Sequence, residues 1–466
     1  MASGAVVARA EAAVPLSTPR PGWAEQDPED WWRGASAVLD ELRAACGVIE
    51  GIGLSGQMHG LVLLDSADRV LRPAILWNDG RTGAEADWIE SAVGGRSRLV
   101  SLTGNRALVG FTAPKLEWVR RHEPDVFARV AKVMLPKDYV RLRLCGEHAI
   151  DVADASGTLW LDVRRRAWSS EVLDALEVDP AWLPRLLESP EVSGETADGV
   201  PVAAGAGDQA AGAVGVGVSA GGGPLSVVLG TSGVVFAALD AYGDDPEGRV
   251  HAFCHAVPGA WHGMGVMLSA AGSLAWLRSV TDPGASFASL VDEAAAWAPG
   301  AEGLTFLPYL AGERTPHADP DARGSFTGLS LRHDRGALVR AVLEGVAFGL
   351  RDSLDLVREL GTAAPVGRVS GGGAASDEWL RILASVLELP LQRMEVEEGA
   401  AYGAALLGAV AAGLFPDVPS AIDACVRPGA TIDPVPDWIP RYADARATFR
   451  ALYPALHATR GEDASG

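Results

Sequence analysis

The order of apolar and polar positions divides the chain into short buried strands, most of them followed by a glycine-containing turn and a helix. Largely apolar runs of about four to ten residues bounded by Gly, Pro or Asp predict strands. They fall at Ala5–Val14, Val48–Leu54, Leu61–Asp65, Pro201–Ala204, Leu225–Leu229, Val234–Ala238, Phe306–Leu310 and Val366–Ser370. Helical spacing predicts a helix through Ala45, headed by Asp27-Pro28-Glu29-Asp30 as cap and acidic first turn, and a long one over Arg335–Glu359. Further helices are predicted at Gln209–Val216, Ser269–Ser279, Asp377–Leu387 and Ile439–Leu456. Trp168–Leu187 reads as a polar helical segment broken by Pro180 and Pro184, and Ala400–Phe415 as a tightly packed buried helix. Strands alternating with helices point to an α/β protein.

The densest signals lie in residues 201–239. A strand ends in Gly205-Ala206-Gly207, and Asp208 then heads a helix of small residues. An acid there faces the positive end of the helix dipole, which favours its ionised form. It can serve as an N-cap, as a ligand-facing carboxylate, or as both. Leu225–Leu229, Gly230-Thr231-Ser232-Gly233 and Val234–Ala238 then form a hairpin whose tip carries two hydroxyls and backbone amides. Such a nest holds phosphate without a lysine, although most Gly-Ser/Thr turns are only turns. A second glycine turn, Gly371-Gly372-Gly373-Ala374, stands between a strand and a helix, where it is either a plain connection or a phosphate-accepting helix start. His59, between Gly60 and the end of a predicted strand, is a structural or a ligand-facing histidine.

Composition narrows the classes. The 466 residues suit two or three domains, and 48% apolar with 21% charged residues is ordinary for a globular chain. A net charge of −21 argues against general binding to nucleic acid or anionic membranes. The only lysines are Lys115, Lys132 and Lys137, so neither a Walker A loop nor a protein-kinase lysine is present. Any nucleotide phosphate must be held by amides, hydroxyls, arginine and a metal. Cys46, Cys145, Cys254 and Cys425 form no C-x-x-C, as expected of reduced thiols. No signal peptide or membrane span is predicted, so the expected location is the cytoplasm. His251, Cys254, His255 and His262 match no regular zinc spacing.

Together the segments PGWAEQDPEDWW, SGQMHG, PAILWNDGR, GFTAPKLEWVRRHEP, LPKDYVRLRL, AGAGDQAAGAVGVG, LGTSGVVFA, FLPYLAGERTPH, RAVLEGVAF and SGGGA resemble the FGGY family of carbohydrate kinases. The MHG, WNDGR and GERTPH segments are most similar to the branch of that family acting on D-xylulose. The resemblance runs from residue 4 to about residue 455. It implies an α/β, two-lobed actin/Hsp70-like (ribonuclease-H-like) ATPase fold with a central cleft. Residues 1–220 would form the sugar-binding lobe, with a five-stranded sheet, and residues 221–466 the ATP-binding lobe. It implies that Asp208 is the catalytic base and that Met58, His59 and Gln209 hold the sugar; a carboxylate of ordinary pKa suffices for that role, because the attacking hydroxyl loses its proton late. Gly230, Thr231, Ser232 and Gly233 would bind ATP phosphates, and Gly372, Gly373 and Ala374 the adenosine side, with Mg²⁺ bridging the phosphates.

The implied reaction is ATP-dependent phosphorylation of D-xylulose to D-xylulose 5-phosphate in D-xylose catabolism. The partners are sugar and ATP, and a homodimer is compatible with the resemblance. A sibling kinase for another ketose or polyol is the alternative, as is a sugar-binding protein impaired in catalysis. The chain departs from the pattern in three places. Gln209 stands where many relatives have Asn, and Ala375 where Arg is frequent. The family's opening strand and first phosphate loop have no counterpart, so the first lobe is expected to lack about 20 residues, the length of a strand, a turn and part of another strand.

Overall fold

The computed structural model describes residues 3–396 and 398–461. Two compact units emerge, each assembled from separate stretches of chain. The first comprises residues 1–220, 238–262 and 398–426, and the second residues 221–237, 263–397 and 427–466.

In the first unit, the helix Pro28–Cys46 starts where the sequence predicts, with the Asp27 carboxylate accepting from the Glu29 amide at 3.0 Å. The chain then forms a short strand at Ser55–Gly56. It runs parallel to Ala206–Gly207, pairing Ser55 with Ala206 and Gly56 with Gly207. The helix Asp208–Gly215 follows directly and packs on the helix Gly399–Ala411. Small residues are obligatory at this crossing. A Cβ on Gly403 would lie 1.7 Å from the Ala211 carbonyl oxygen, and one on Gly215 2.6 Å from that of Gly399. This packing joins residues 399–411 to the first unit across a long loop of sequence.

Three predicted elements need correction. Ala5–Val14 forms no strand, and Val48–Leu54 pairs only at its end, where Ile52 bridges Val202 and the Leu54 carbonyl accepts from Ala206. Within residues 1–220 the described strands form separate two-stranded ladders and not the expected five-stranded sheet. The physical reason is pairing: an apolar run becomes a strand only when a neighbour takes up its amides and carbonyls. Without one, Val7 stays 74% and Val48 86% exposed. Trp168–Leu187 divides into the helix Ser170–Ala175, a 3₁₀ turn at Pro180–Trp182 and the strand Arg185–Leu187, as its two prolines require.

The second unit is built on a sheet that keeps the predicted strands. Leu225–Leu229 and Gly233–Leu239 form the antiparallel hairpin, with Leu229 opposite Gly233. On its other side Leu225–Leu229 runs parallel to Gly367–Ser370, Val228 opposite Ser370. Leu391–Met394 and Pro428–Ile432 extend the order. The helix Arg335–Glu359 is capped by Asp334, whose carboxylate accepts from Ala337 at 3.0 Å. It is buried along most of its length and carries a buried ion pair, Arg340 to Glu344 at 2.6 Å. Trp379 of the helix Asp377–Leu387 donates its indole N–H to the Leu343 carbonyl at 3.2 Å, clamping the two helices. Among the described residues no helix is long and apolar enough to cross a membrane.

Candidate active site

The parallel register of Ser55–Gly56 with Ala206–Gly207 decides what meets in the first unit. Two parallel strands end at one level, so Gln57-Met58-His59 and Asp208-Gln209 emerge side by side at their carboxyl ends, where open α/β sheets bind ligands. Met58 is buried against Gly207: a Cβ there would meet the Met58 Cγ at 2.6 Å. His59 takes a left-handed backbone, φ 66°. Its imidazole Nδ1 lies 2.8 Å from the Gly157 carbonyl, which requires a proton on Nδ1, and the ring stacks on Phe111 at 4.7 Å. The His59 carbonyl accepts from Lys115 Nζ at 2.8 Å and from Thr112 Oγ1 at 3.1 Å. Four separate restraints therefore hold one strained residue.

Asp208 is not the helix cap; that position is Gly207, and Asp208 is the first helical residue. Its carboxylate accepts the Gln209 amide at 2.9 Å and lies 3.5 Å from the Gln209 side-chain nitrogen. Burial raises its pKa to about 6 against the lowering effect of these donors. The expectation of an ordinary carboxylate favoured as an anion is corrected here, since loss of hydration outweighs these hydrogen-bond donors.

Beneath this edge lies a buried charge cluster that the sequence reading did not single out. Lys137 Nζ sits 2.6 Å from Asp138, 2.6 Å from Asp151 and 3.0 Å from Asp154, and Arg141 reaches Asp138 at 2.7 Å. The three acids are grouped closely enough to hold a metal ion, but the lysine ammonium already stands among them. Desolvation raises the Asp151 and Asp154 pKa values, and the three neighbouring carboxylates more than restore that of Lys137 against its own burial. Gly56 packs on this lysine and Gly207 on Asp154, with added Cβ atoms meeting them at 2.8 and 3.2 Å. Lys137 and Asp138 stood inside a recognisable segment, whereas Asp151 and Asp154 come from another strand–helix junction and carried no local signal.

In the second unit the two glycine turns leave adjacent parallel strands at the same end, because Val228 pairs with Ser370. The tip Gly230–Gly233 is braced from behind. The Ala270 amide donates to the Thr231 carbonyl at 2.8 Å and the Ala271 amide to the Gly230 carbonyl at 2.8 Å, at the start of the helix Ala271–Thr281. Thr231 is exposed. Gly371 has φ 89°, and a Cβ on it would meet the Leu229 carbonyl at 2.8 Å, so the second turn lies directly against the first. Gly372 has open space where a side chain would project, and Gly372–Ala375 forms a 3₁₀ turn leading into the helix Asp377–Leu387. Close backbone approach with open space beside it suits a nucleotide's phosphates and ribose.

His251, His255 and His262 belong to an aromatic cluster around Phe253 rather than to a group able to hold a metal among the described residues. Burial lowers the His255 pKa to about 4, and its Nε2 lies 2.9 Å from the Val218 carbonyl.

The fold is that of the two-domain actin/Hsp70-like ATPases, in the class of the sugar kinases. Residues 2–215 match the model of the FGGY family of carbohydrate kinases, N-terminal domain, and residues 225–412 that of the C-terminal domain. The chain is 45% identical to the xylulose kinase of Escherichia coli (strain K12), over 97% of this chain and 95% of that one. A crystal structure described as a "xyloylose kinase" from Brucella ovis superposes with a TM-score of 0.89 at 46% identity, covering 96% of this chain and 93% of its own. The xylulose kinase from Rhodospirillum rubrum superposes at 0.88 with 34% identity, over 96% and 93%. The chain belongs to the FGGY family of carbohydrate kinases, and is a phosphotransferase enzyme.

Proposed function

We propose that this enzyme transfers the γ-phosphoryl group of MgATP to the terminal hydroxyl of D-xylulose, giving ADP and D-xylulose 5-phosphate. The observation that carries the reading is the parallel register that brings Met58 and His59 beside Asp208 and Gln209. The relatives named as xylulose kinases support the choice of sugar.

Asp208 acts as general base. Its carboxylate accepts the hydroxyl proton while the freed oxygen bonds to the γ-phosphorus and the bond to the β-phosphate oxygen breaks. Met58 offers an apolar wall, and His59 and Gln209 offer polar contacts to the sugar. Gly230, Thr231, Ser232 and Gly233 hold the phosphates through amides and hydroxyls. Gly372, Gly373 and Ala374 border the ribose and base. Mg²⁺ enters with the nucleotide as part of the substrate. An ion delivered this way is held mainly by phosphate and water. We assign the reaction to the cytoplasm, consistent with four free thiols.

The test is ADP release with MgATP and a panel of ketoses and polyols. D-xylulose should give the highest kcat/KM. A better polyol or another ketose would transfer the same machinery to that sugar, and no sugar-dependent ADP release would end the proposal.

A further inference from the structure

Glu313, in the segment GERTPH, is buried and takes no part in the chemistry described so far. Its Oε1 accepts the Leu268 amide at 3.0 Å and the Arg314 amide at 2.7 Å. Its Oε2 is buried with no hydrogen-bond partner among the described residues. Its own backbone is locked to Asp319 by two hydrogen bonds of 2.8 Å. Two residues beyond Leu268 the chain turns, and the amides of Ala270 and Ala271 donate to the carbonyls of Thr231 and Gly230. One continuous set of bonds therefore runs from Glu313 through Leu268 and the Ala270–Ala271 turn to the tip of the 230–233 hairpin.

We propose that Glu313 is a positioning residue for the ATP-phosphate loop Gly230–Gly233, acting through the Leu268–Ala271 turn and doing so as a neutral carboxylic acid. This rests on the reading of that loop as the phosphate site. The physical argument has two parts. A carboxyl whose second oxygen is buried without a donor is tolerated when that oxygen carries a proton, because a buried unpaired anion is far more costly. Burial accordingly raises the pKa of Glu313 to about 8. The charged and titratable groups facing it are Arg314, which favours the anion, and Asp352 of the helix Arg335–Glu359, which opposes it; Tyr309 also senses its charge. Asp352 is itself paired with Arg446 and lies 3.7 Å from Arg450. Proton loss from Glu313 places an unpaired negative charge behind the loop that receives triphosphate, so ATP binding weakens as pH rises through about 8.

The experiment measures KM for ATP and for D-xylulose from pH 6.5 to 9 in wild type, Glu313→Ala, Glu313→Gln and the double variant Thr231→Ala/Ser232→Ala. Gln reproduces the neutral acid: its carbonyl oxygen accepts the Leu268 amide, and no charge appears. Glu313→Ala is expected to raise KM for ATP about tenfold, the scale of a buried donor left without its acceptor, with sugar KM within about twofold. Glu313→Gln is expected to restore the ATP KM and to abolish its rise above pH 8. If Glu313→Ala fails to fold, the Gln variant and the wild-type pH profile carry the test alone. A wild-type ATP KM that stays flat through pH 9, or a Gln variant with the same rise, overturns the proposal. Equal rises in both KM values for folded Glu313→Ala do so too. If the double loop variant leaves the ATP KM unchanged, the phosphate-loop reading fails, and the proposal falls with it. If only the Glu313 variants are silent, the loop reading stands and this proposal alone is overturned.

Discussion

At the scale of single residues, two side chains show how environment sets chemistry. Asp208 heads its helix, as an acid beside free amides should, yet burial lifts its pKa to about 6. As the proposed base it must be ionised, so at saturating ATP kcat/KM for the sugar should fall as pH drops through about 6 and level off above. Asp208→Asn should lower turnover by ~10²–10⁴ while sugar binding, followed by calorimetry, survives; a variant keeping a tenth of wild-type turnover, roughly, would remove Asp208 from the role of base. His59 is held by its Nδ1 contact to Gly157, its stacking on Phe111 and its left-handed backbone. Such over-determined strain is found where a side chain must point one way. His59→Ala should raise the sugar KM about threefold to tenfold, the worth of one hydrogen bond, with little change in the ATP KM. Steady-state titration of each substrate checks this; a sugar KM that does not move makes the histidine purely structural.

At the scale of elements, the helix that carries Asp208 is positioned by its contact with Gly399–Ala411. The 1.7 Å approach at Gly403 leaves no space for a methyl group, and the obstacle is backbone. Gly403→Ala should therefore destabilise the protein by about 1–3 kcal/mol or more, as overpacking does. Because the helix bearing Asp208 must shift to make room, turnover should fall further than the loss of folded protein accounts for. Denaturant unfolding paired with activity per folded molecule tests both. A Gly403→Ala enzyme of wild-type midpoint and rate would mean that the crossing is looser than these distances state. The same scale explains the failed strands. Val6 and Val7 have the apolar character of a strand but no ladder, and hydrophobicity without pairing leaves exposed valine.

At the scale of the whole molecule, the proposed sugar residues all belong to one unit and the proposed nucleotide residues all to the other. Each ligand should therefore protect its own set of amides from hydrogen exchange. D-xylulose should slow exchange around residues 55–60 and 206–212, and ADP around 229–233 and 371–375, since a ligand raises the free energy of opening where it binds. Protection by ADP confined to the first set, or by the sugar confined to the second, would reverse the assignment of units. The net charge of −21 acts at this scale as well: at long range it disfavours polyanions, and the proposed nucleotide site would hold a triphosphate through local amides and hydroxyls.

Local pattern determined a large part of this protein. The hairpin Leu225–Leu229 to Gly233–Leu239, the helices Pro28–Cys46 and Arg335–Glu359 and the strand–glycine–helix run at residues 367–387 were legible because their caps, turns and periodicities act within a few residues. Asp208, His59 and the glycine turns could be singled out for the same reason. Tertiary structure alone decided the rest. Whether Ala5–Val14 became a strand depended on a neighbour, and the return of residues 399–411 to the first unit depended on a glycine crossing that no local signal encodes. The gathering of Asp151 and Asp154 around Lys137, the Leu268 amide on Glu313 and the raised pKa of Asp208 all arise from burial and from contacts between distant segments. Desolvation is a property of a three-dimensional neighbourhood, so a carboxylate's charge state cannot be read from the residues beside it in the chain.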